Sequence, residues 1–159
     1  MNELEIENRG LEPGFFDTIC SNYLDRHPVL NTLGIRTMYM GRGITGMRII
    51  PGPEYSSAGY RVHGGIVATV IDVAMSRAAL TVTGKLCRTV DIHLSYMAPA
   101  LENMALIAEA WVVRAGETLV AVEGTVANEN GQTILRGMGT FIVDKKYPAL
   151  WEASTGPTL

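Results

Sequence analysis

Apolar positions along the chain follow different rhythms, and each rhythm predicts a different element. Between Pro13 and Leu24 the residues Phe15, Phe16, Ile19, Tyr23 and Leu24 share one face of a 3.6-residue period, so a short amphipathic helix is expected, closed by His27-Pro28. From Ile66 to Leu80 apolar residues cover every side of that period, the pattern of a helix wrapped by protein on most sides. After Gly84 the period drops to two. In Cys87 to Met97, Val90, Ile92, Leu94 and Tyr96 share one face while Thr89, Asp91, His93, Ser95 and Met97 share the other, as in a half-buried strand. Met104 to Val113, Thr118 to Ala127 and Thr133 to Val143 continue as strands. Their connections, Arg114-Ala115-Gly116-Glu117 and Asn128-Glu129-Asn130-Gly131, are short enough to force antiparallel neighbours. Upstream, Gly34 to Met40 turns through Gly41-Arg42-Gly43 into Ile44 to Ile50, which reads as a hairpin.

These elements predict an α+β architecture: an antiparallel sheet of about six strands with one long helix laid across its concave face. Residues 1–159 read as a single domain, with 1–12 poorly ordered, 13–27 carrying the short helix, 33–143 forming the core and 147–159 a tail. One sheet face cannot cover a helix that is apolar all round. A second copy of the chain is the economical cover for its remaining side.

One carboxylate, Asp72, interrupts the apolar run. An ionised group there loses water and needs either a partner or a task. Ser76, Thr69 and Arg77 are within a turn or so and offer the partner; buried acids of this kind also cluster at functional sites. The run opens with His63-Gly64-Gly65. Without Cβ atoms these glycines let a ligand approach the backbone, and at a helix start their N–H groups point outward with the positive end of the dipole behind them. That is an oxyanion hole in prospect, and equally the form of a tight turn feeding a helix. Seven steps lead from Gly65 to Asp72, about 10 Å along a helix, so one helix cannot bring both to a single reacting carbonyl. Two copies with antiparallel helices would, giving two composite sites per dimer.

Composition narrows the alternatives. With 47% hydrophobic and 18% charged residues the chain reads as soluble and globular, and a formal charge of −3 argues against nonspecific nucleic-acid binding. No uninterrupted apolar run reaches the ~18 residues that span a bilayer, and the acidic start, Met1-Asn2-Glu3-Leu4-Glu5-Ile6-Glu7, lacks the basic character of a secretory signal; no membrane partner and a cytoplasmic location are expected. Cys20 and Cys87 match no redox or metal spacing, so free thiols and no metal are expected. A Gly-x-Ser-x-Gly elbow is missing, which speaks against an α/β-hydrolase.

Three blocks carry a family resemblance. His63-Gly64-Gly65 with an acid nine residues after the histidine resembles the phenylacetate-type, PaaI-like branch of the hotdog-fold acyl-CoA thioesterases, within the 4-hydroxybenzoyl-CoA thioesterase superfamily. Thr89 to Ala100, ending Tyr96-Met97-Ala98-Pro99-Ala100, resembles the strand after that branch's central helix, and Arg114 to Leu119 resembles its hairpin between two long strands. The resemblance spans about Leu33 to Val143. It implies hydrolysis of an acyl-CoA thioester by a homodimer, or a dimer of dimers, with coenzyme A entering as part of the substrate and no further cofactor.

The resemblance also implies roles. The Gly65 N–H, assisted by Gly64, would polarise the acyl carbonyl, and Asp72 from the facing subunit would act as general base toward water or as nucleophile. His63 would orient the loop, and Thr89, beside Asp91 on the polar face, would help place water. Ser57 stands where relatives often carry Asn or Gln, and its shorter side chain reaches less far. Contacts to coenzyme A would come from Tyr96, Met97 and Pro99, from Arg114, Gly116 and Thr118, and from Arg136 at the phosphates. Met38, Met40, Met47, Met75 and Met97 could line an acyl pocket or fill the core. Two rival functions remain: a hotdog module that binds acyl-CoA without hydrolysing it, which leaves Asp72 unexplained, and a hydratase, whose paired histidine and acid are not found.

Overall fold

The computed structural model describes residues 5–21 and 27–146. Residues 1–4, the expected tail 147–159, and Tyr23 and Leu24 of the expected first helix lie outside them. In chain order the strands are β1 (Glu7–Arg9), β2 (Arg36–Gly41), β3 (Ile44–Ile49), β4 (Cys87–Tyr96), β5 (Leu106–Ala115), β6 (Leu119–Asn128) and β7 (Thr133–Val143). The helices are α1 (Pro13–Ile19), α2 (Pro28–Leu33) and α3 (Gly64–Thr83). All seven strands form one sheet in the order β1-β2-β3-β5-β6-β7-β4, antiparallel except where β1 joins β2. The α+β architecture expected from the pattern is present, with one more strand than the expected six.

α3 starts where His63 caps it and stops at Gly84, whose left-handed backbone (φ 66°) turns the chain toward β4. Its Val67, Val70, Ile71, Ala74, Met75 and Ala78 are buried in the main core, together with Met47, Ile49, Leu106, Ala108, Val122, Leu135 and Phe141 from the sheet. Phe15, Ile19 and Leu30, from α1 and α2, join the same cluster. Met40, Met47 and Met75 are fully buried packing residues and Met97 is exposed, so the methionines divide between core and surface rather than lining one pocket. By length and composition α3 could cross a bilayer, yet 56% of its apolar window is buried inside the protein, as in a core helix.

Close approach of helix and sheet depends on two glycines that pair across β6 and β7. A Cβ on Gly124 would lie 2.7 Å from Ile71 Cδ1 and 2.8 Å from the Glu109 carbonyl, and one on Gly137 would lie 2.7 Å from Leu94 Cδ2 with Met75 Cε at 3.7 Å. The missing side chains make a dent that Ile71 enters over Gly124 and Leu94 over Gly137, with Met75 in contact beside it.

Two expectations are corrected. Residues 7–9, expected to be poorly ordered, form β1, because Arg9 stacks 3.5 Å over the Tyr39 ring and pairs with Glu7 at 2.8 Å. A polar stretch whose anchor is an aromatic ring thirty residues away carries no local signal of order. The second correction concerns β4, whose alternation breaks between Thr89 and Asp91: Thr89 pairs with Phe141, while Asp91 pairs with the adjacent Thr140. This bulge takes Thr89 off the face it was expected to share with Asp91 and turns it toward the helix.

Tyr39, only 8% exposed, donates a 2.7 Å hydrogen bond to Glu109 Oε1. Burial, reinforced by that carboxylate, pushes its phenol up to about 12. A phenol held neutral stabilises the fold fully below its unfolded value of about 10, and that stabilisation drains away as pH climbs toward about 12. Urea midpoints of the wild type should therefore fall across this window relative to those of Tyr39→Phe. At constant pH, Gly124→Ala should cost about 1–3 kcal/mol of stability by overpacking, read as a lower urea midpoint with an unchanged slope.

Candidate active site

The stripe of α3 not covered by the sheet carries two of the expected site residues, Gly65 and Asp72. Gly65 is exposed, and Ala68, Thr69, Asp72 and Ser76 are half-buried, at intervals of three and four residues along one face. Asp72 is thus less enclosed in the single chain than an all-round apolar helix implied. It is also partnered: the Thr89 hydroxyl donates a 2.7 Å hydrogen bond to Asp72 Oδ1. The partners suggested by spacing do not serve. Thr69 donates to the Gly65 carbonyl at 2.9 Å, and Arg77 is 1% exposed, with no ion pair to Asp72 among the described residues.

At the start of α3 the peptide joining Gly64 to Gly65 is held at both ends. Gly65 N–H donates to His63 Nδ1 at 3.0 Å, so the imidazole caps the helix. From the other side the Tyr96 hydroxyl donates to the Gly64 carbonyl at 2.7 Å. Partial burial pushes the Tyr96 phenol up from its ordinary value, which keeps it a proton donor. Beside this peptide lies an open cleft of about 400 Å³ bounded by Ser57, Arg61, Val67, Tyr96, Met97 and Pro99. Ser57 stands in the cleft wall, and its hydroxyl donates to the Arg61 carbonyl at 3.1 Å within its own loop.

The expected residues therefore fall into separate places. One group, His63, Gly64, Gly65, Tyr96, Met97, Pro99 and Ser57, gathers at the helix start; Asp72 and Thr89 form a second group two turns along. Arg114, Gly116 and Thr118 occupy the β5–β6 hairpin. Ala115 of that hairpin connects by register to Val120, Phe141 and then Thr89, three strand spacings or roughly 14 Å away. Arg136 stands on the opposite face of the sheet from α3, in a groove with His93, Ser95, Trp111 and Glu123, and Asp91 is exposed on the edge strand. The sequence reading missed Val62, Val67 and Ile134 in the cleft wall. Apolar residues of this kind are indistinguishable from core until the strand order is known.

With fold and site in view, comparison with known proteins is informative. The profile of the thioesterase superfamily matches residues 60–135, the segment that holds α3 with its Gly64-Gly65 start and the bulged strand. A Halobacterium salinarum protein that carries a provisional esterase name is 32% identical over 138 residues, spanning 79% of this chain and 90% of that one. Human acyl-coenzyme A thioesterase 13 is 32% identical over 89 residues, covering 55% of this chain and 64% of the human protein. The E. coli PaaI protein of the phenylacetic acid degradation operon shares the hotdog fold, with a TM-score of 0.77, 17% identity, and coverage of 82% and 93%. The chain belongs to the thioesterase superfamily.

His63→Ala removes the cap from Gly65 N–H. It should lower stability by about 1 kcal/mol, the usual cost of a lost N-cap, seen as a reduced urea midpoint at neutral pH.

Proposed function

We propose that the protein hydrolyses acyl-CoA thioesters at sites shared between two subunits. The observation that carries this reading is the Thr89–Asp72 hydrogen bond, which fixes a half-buried carboxylate on the same open stripe of α3 as Gly65. Symmetry supplies the rest. If two α3 helices pack antiparallel along this stripe, Gly65 of one faces Asp72 of the other when the two-fold axis passes between Ala68 and Thr69. Both side chains at that point are small enough for close approach. β4 favours the same assembly: it is the sheet edge, ten residues long, with Val90 56% exposed, so a second β4 can continue the sheet while covering the stripe.

In the proposed reaction the acyl carbonyl oxygen takes the place of His63 Nδ1 at Gly65 N–H, where negative charge grows as the tetrahedral intermediate forms. Thr89 holds Asp72 by Oδ1 and leaves Oδ2 to accept a proton from water as its oxygen bonds to the carbonyl carbon. Collapse breaks the C–S bond, and the Asp72 carboxyl returns its proton to the departing thiolate. The products are the free acid and coenzyme A. The acyl-CoA substrate rests on the superfamily assignment and on the similarity to human acyl-coenzyme A thioesterase 13. Arg114 and Arg136 are both exposed and are available to the nucleotide phosphates from the surface of the dimer.

Release of free thiol from a panel of aliphatic and aromatic acyl-CoA esters tests the activity and ranks the acyl groups. Asp72→Asn should cut kcat by about 10²-fold or more, the scale of a lost general base, with the circular dichroism spectrum unchanged. Wild-type turnover by that variant would overturn the assignment of Asp72. A folded monomer with full activity at assay dilution would remove the shared site.

A further inference from the structure

The Gly64 carbonyl and the Gly65 N–H belong to one planar peptide unit, so whatever grips one end orients and polarises the other. Tyr96 grips the carbonyl end. It is the last residue of β4, and its hydroxyl donates at 2.7 Å while the edge of its ring lies at ordinary contact distance, 3.4 Å, from where a Gly64 side chain would begin. Nothing in the packing demands this bond. Tyr96 is 52% exposed, and an exposed tyrosine oxygen is as well served by water. The Gly64 carbonyl lies in the first turn of α3, where it accepts a helical hydrogen bond whether or not Tyr96 is present. The bond's distinctive effect is therefore on the peptide plane itself.

From this we infer that Tyr96 is a positioning residue for the thioester reaction, clamping the Gly64–Gly65 peptide so that its N–H is aimed at and strengthened for the developing oxyanion. The inference rests on the hydrolase reading above and adds a residue to it. Donation to a carbonyl withdraws electron density through the amide and makes the N–H on the same unit a better donor, the cooperative effect seen along chains of hydrogen bonds. A clamped plane also costs no reorganisation when charge appears, which is what makes fixed dipoles effective in catalysis. In the free protein His63 Nδ1 occupies the N–H. The substrate carbonyl replaces it, whereas Tyr96, on the opposite end of the amide, stays in place throughout. Tyr96 thereby links the end of β4 to the helix start, and the cleft between them is also bounded by Met97 and Pro99.

Tyr96→Phe keeps the ring and removes only the O–H. For an acyl-CoA ester that the wild type hydrolyses, kcat should fall about tenfold with KM within about twofold, because the lost interaction acts on the transition state rather than on binding. The Gly65 amide proton in a ¹H–¹⁵N spectrum should move upfield, and the thermal midpoint should change little. Wild-type kcat in Tyr96→Phe overturns the inference, and so does a loss of kcat and thermal stability together with an unmoved Gly65 resonance, which is the signature of a purely structural bond. Failure of the hydrolase reading shows itself separately, as a wild-type protein that releases no thiol from any ester. That result removes the catalytic role of Tyr96 even if the amide shift is present.

Discussion

The depth to which α3 sinks into the sheet governs the rest of the molecule. Gly124 and Gly137, paired across β6 and β7, put no side chain of their own on the inner face, so Ile71 of α3 closes onto Gly124 while Leu94 of β4 fills the space over Gly137, with Met75 beside it. With that contact made, the rotation of α3 about its axis is settled. Val67, Val70, Ile71, Ala74 and Ala78 go inward, and Gly65, Ala68, Thr69, Asp72 and Ser76 are left along the open side. The position of the carboxylate is a by-product of packing on the other side of the helix. So is its partner, because the same seating brings α3 within reach of the bulged segment of β4.

Much of this was legible in the sequence because it depends on local rhythm. The change from period 3.6 to period 2 after Gly84 marks the boundary between α3 and β4, and the short connections at residues 114–117 and 128–131 are hairpins. Asp72 stood out because charge inside an apolar run needs a reason, and Gly64-Gly65 because glycine pairs at a helix start leave amides uncovered. Other features depend on contacts distant in sequence and gave no local sign. β1 is held by Tyr39 of the neighbouring strand, the partner of Asp72 comes from β4 rather than from its own helix, and Tyr96 reaches Gly64 only because β4 runs back along α3. Arg114, Gly116, Thr118 and Arg136 were assigned by family position, and the fold spreads them over a hairpin and the outer sheet face.

The helix start is more tightly arranged than a glycine turn requires. An imidazole on the N–H and a phenol on the carbonyl hold a single amide unit from opposite sides, within a cleft open to solvent. The two holds differ in kind. His63 is two residues away along the chain and occupies the very group that a ligand would use, so it is displaceable; Tyr96 comes from another element and leaves that group free. In the proposed reaction such an arrangement would keep the backbone donor covered until the substrate carbonyl arrives.

The bulge in β4 separates two segments of one strand. In a regular strand, whether a residue faces in or out is decided by whether its count from the strand's start is odd or even, so the whole strand must change together. Here the parity resets between Thr89 and Asp91, and the threonine that meets the helix is no longer tied to the inward Ile92 and Leu94 that fill the core. The face presented by the residues before the irregularity is thus set independently of the face presented after it. A hydroxyl can thereby reach Asp72 from a strand whose later residues keep their own alternation.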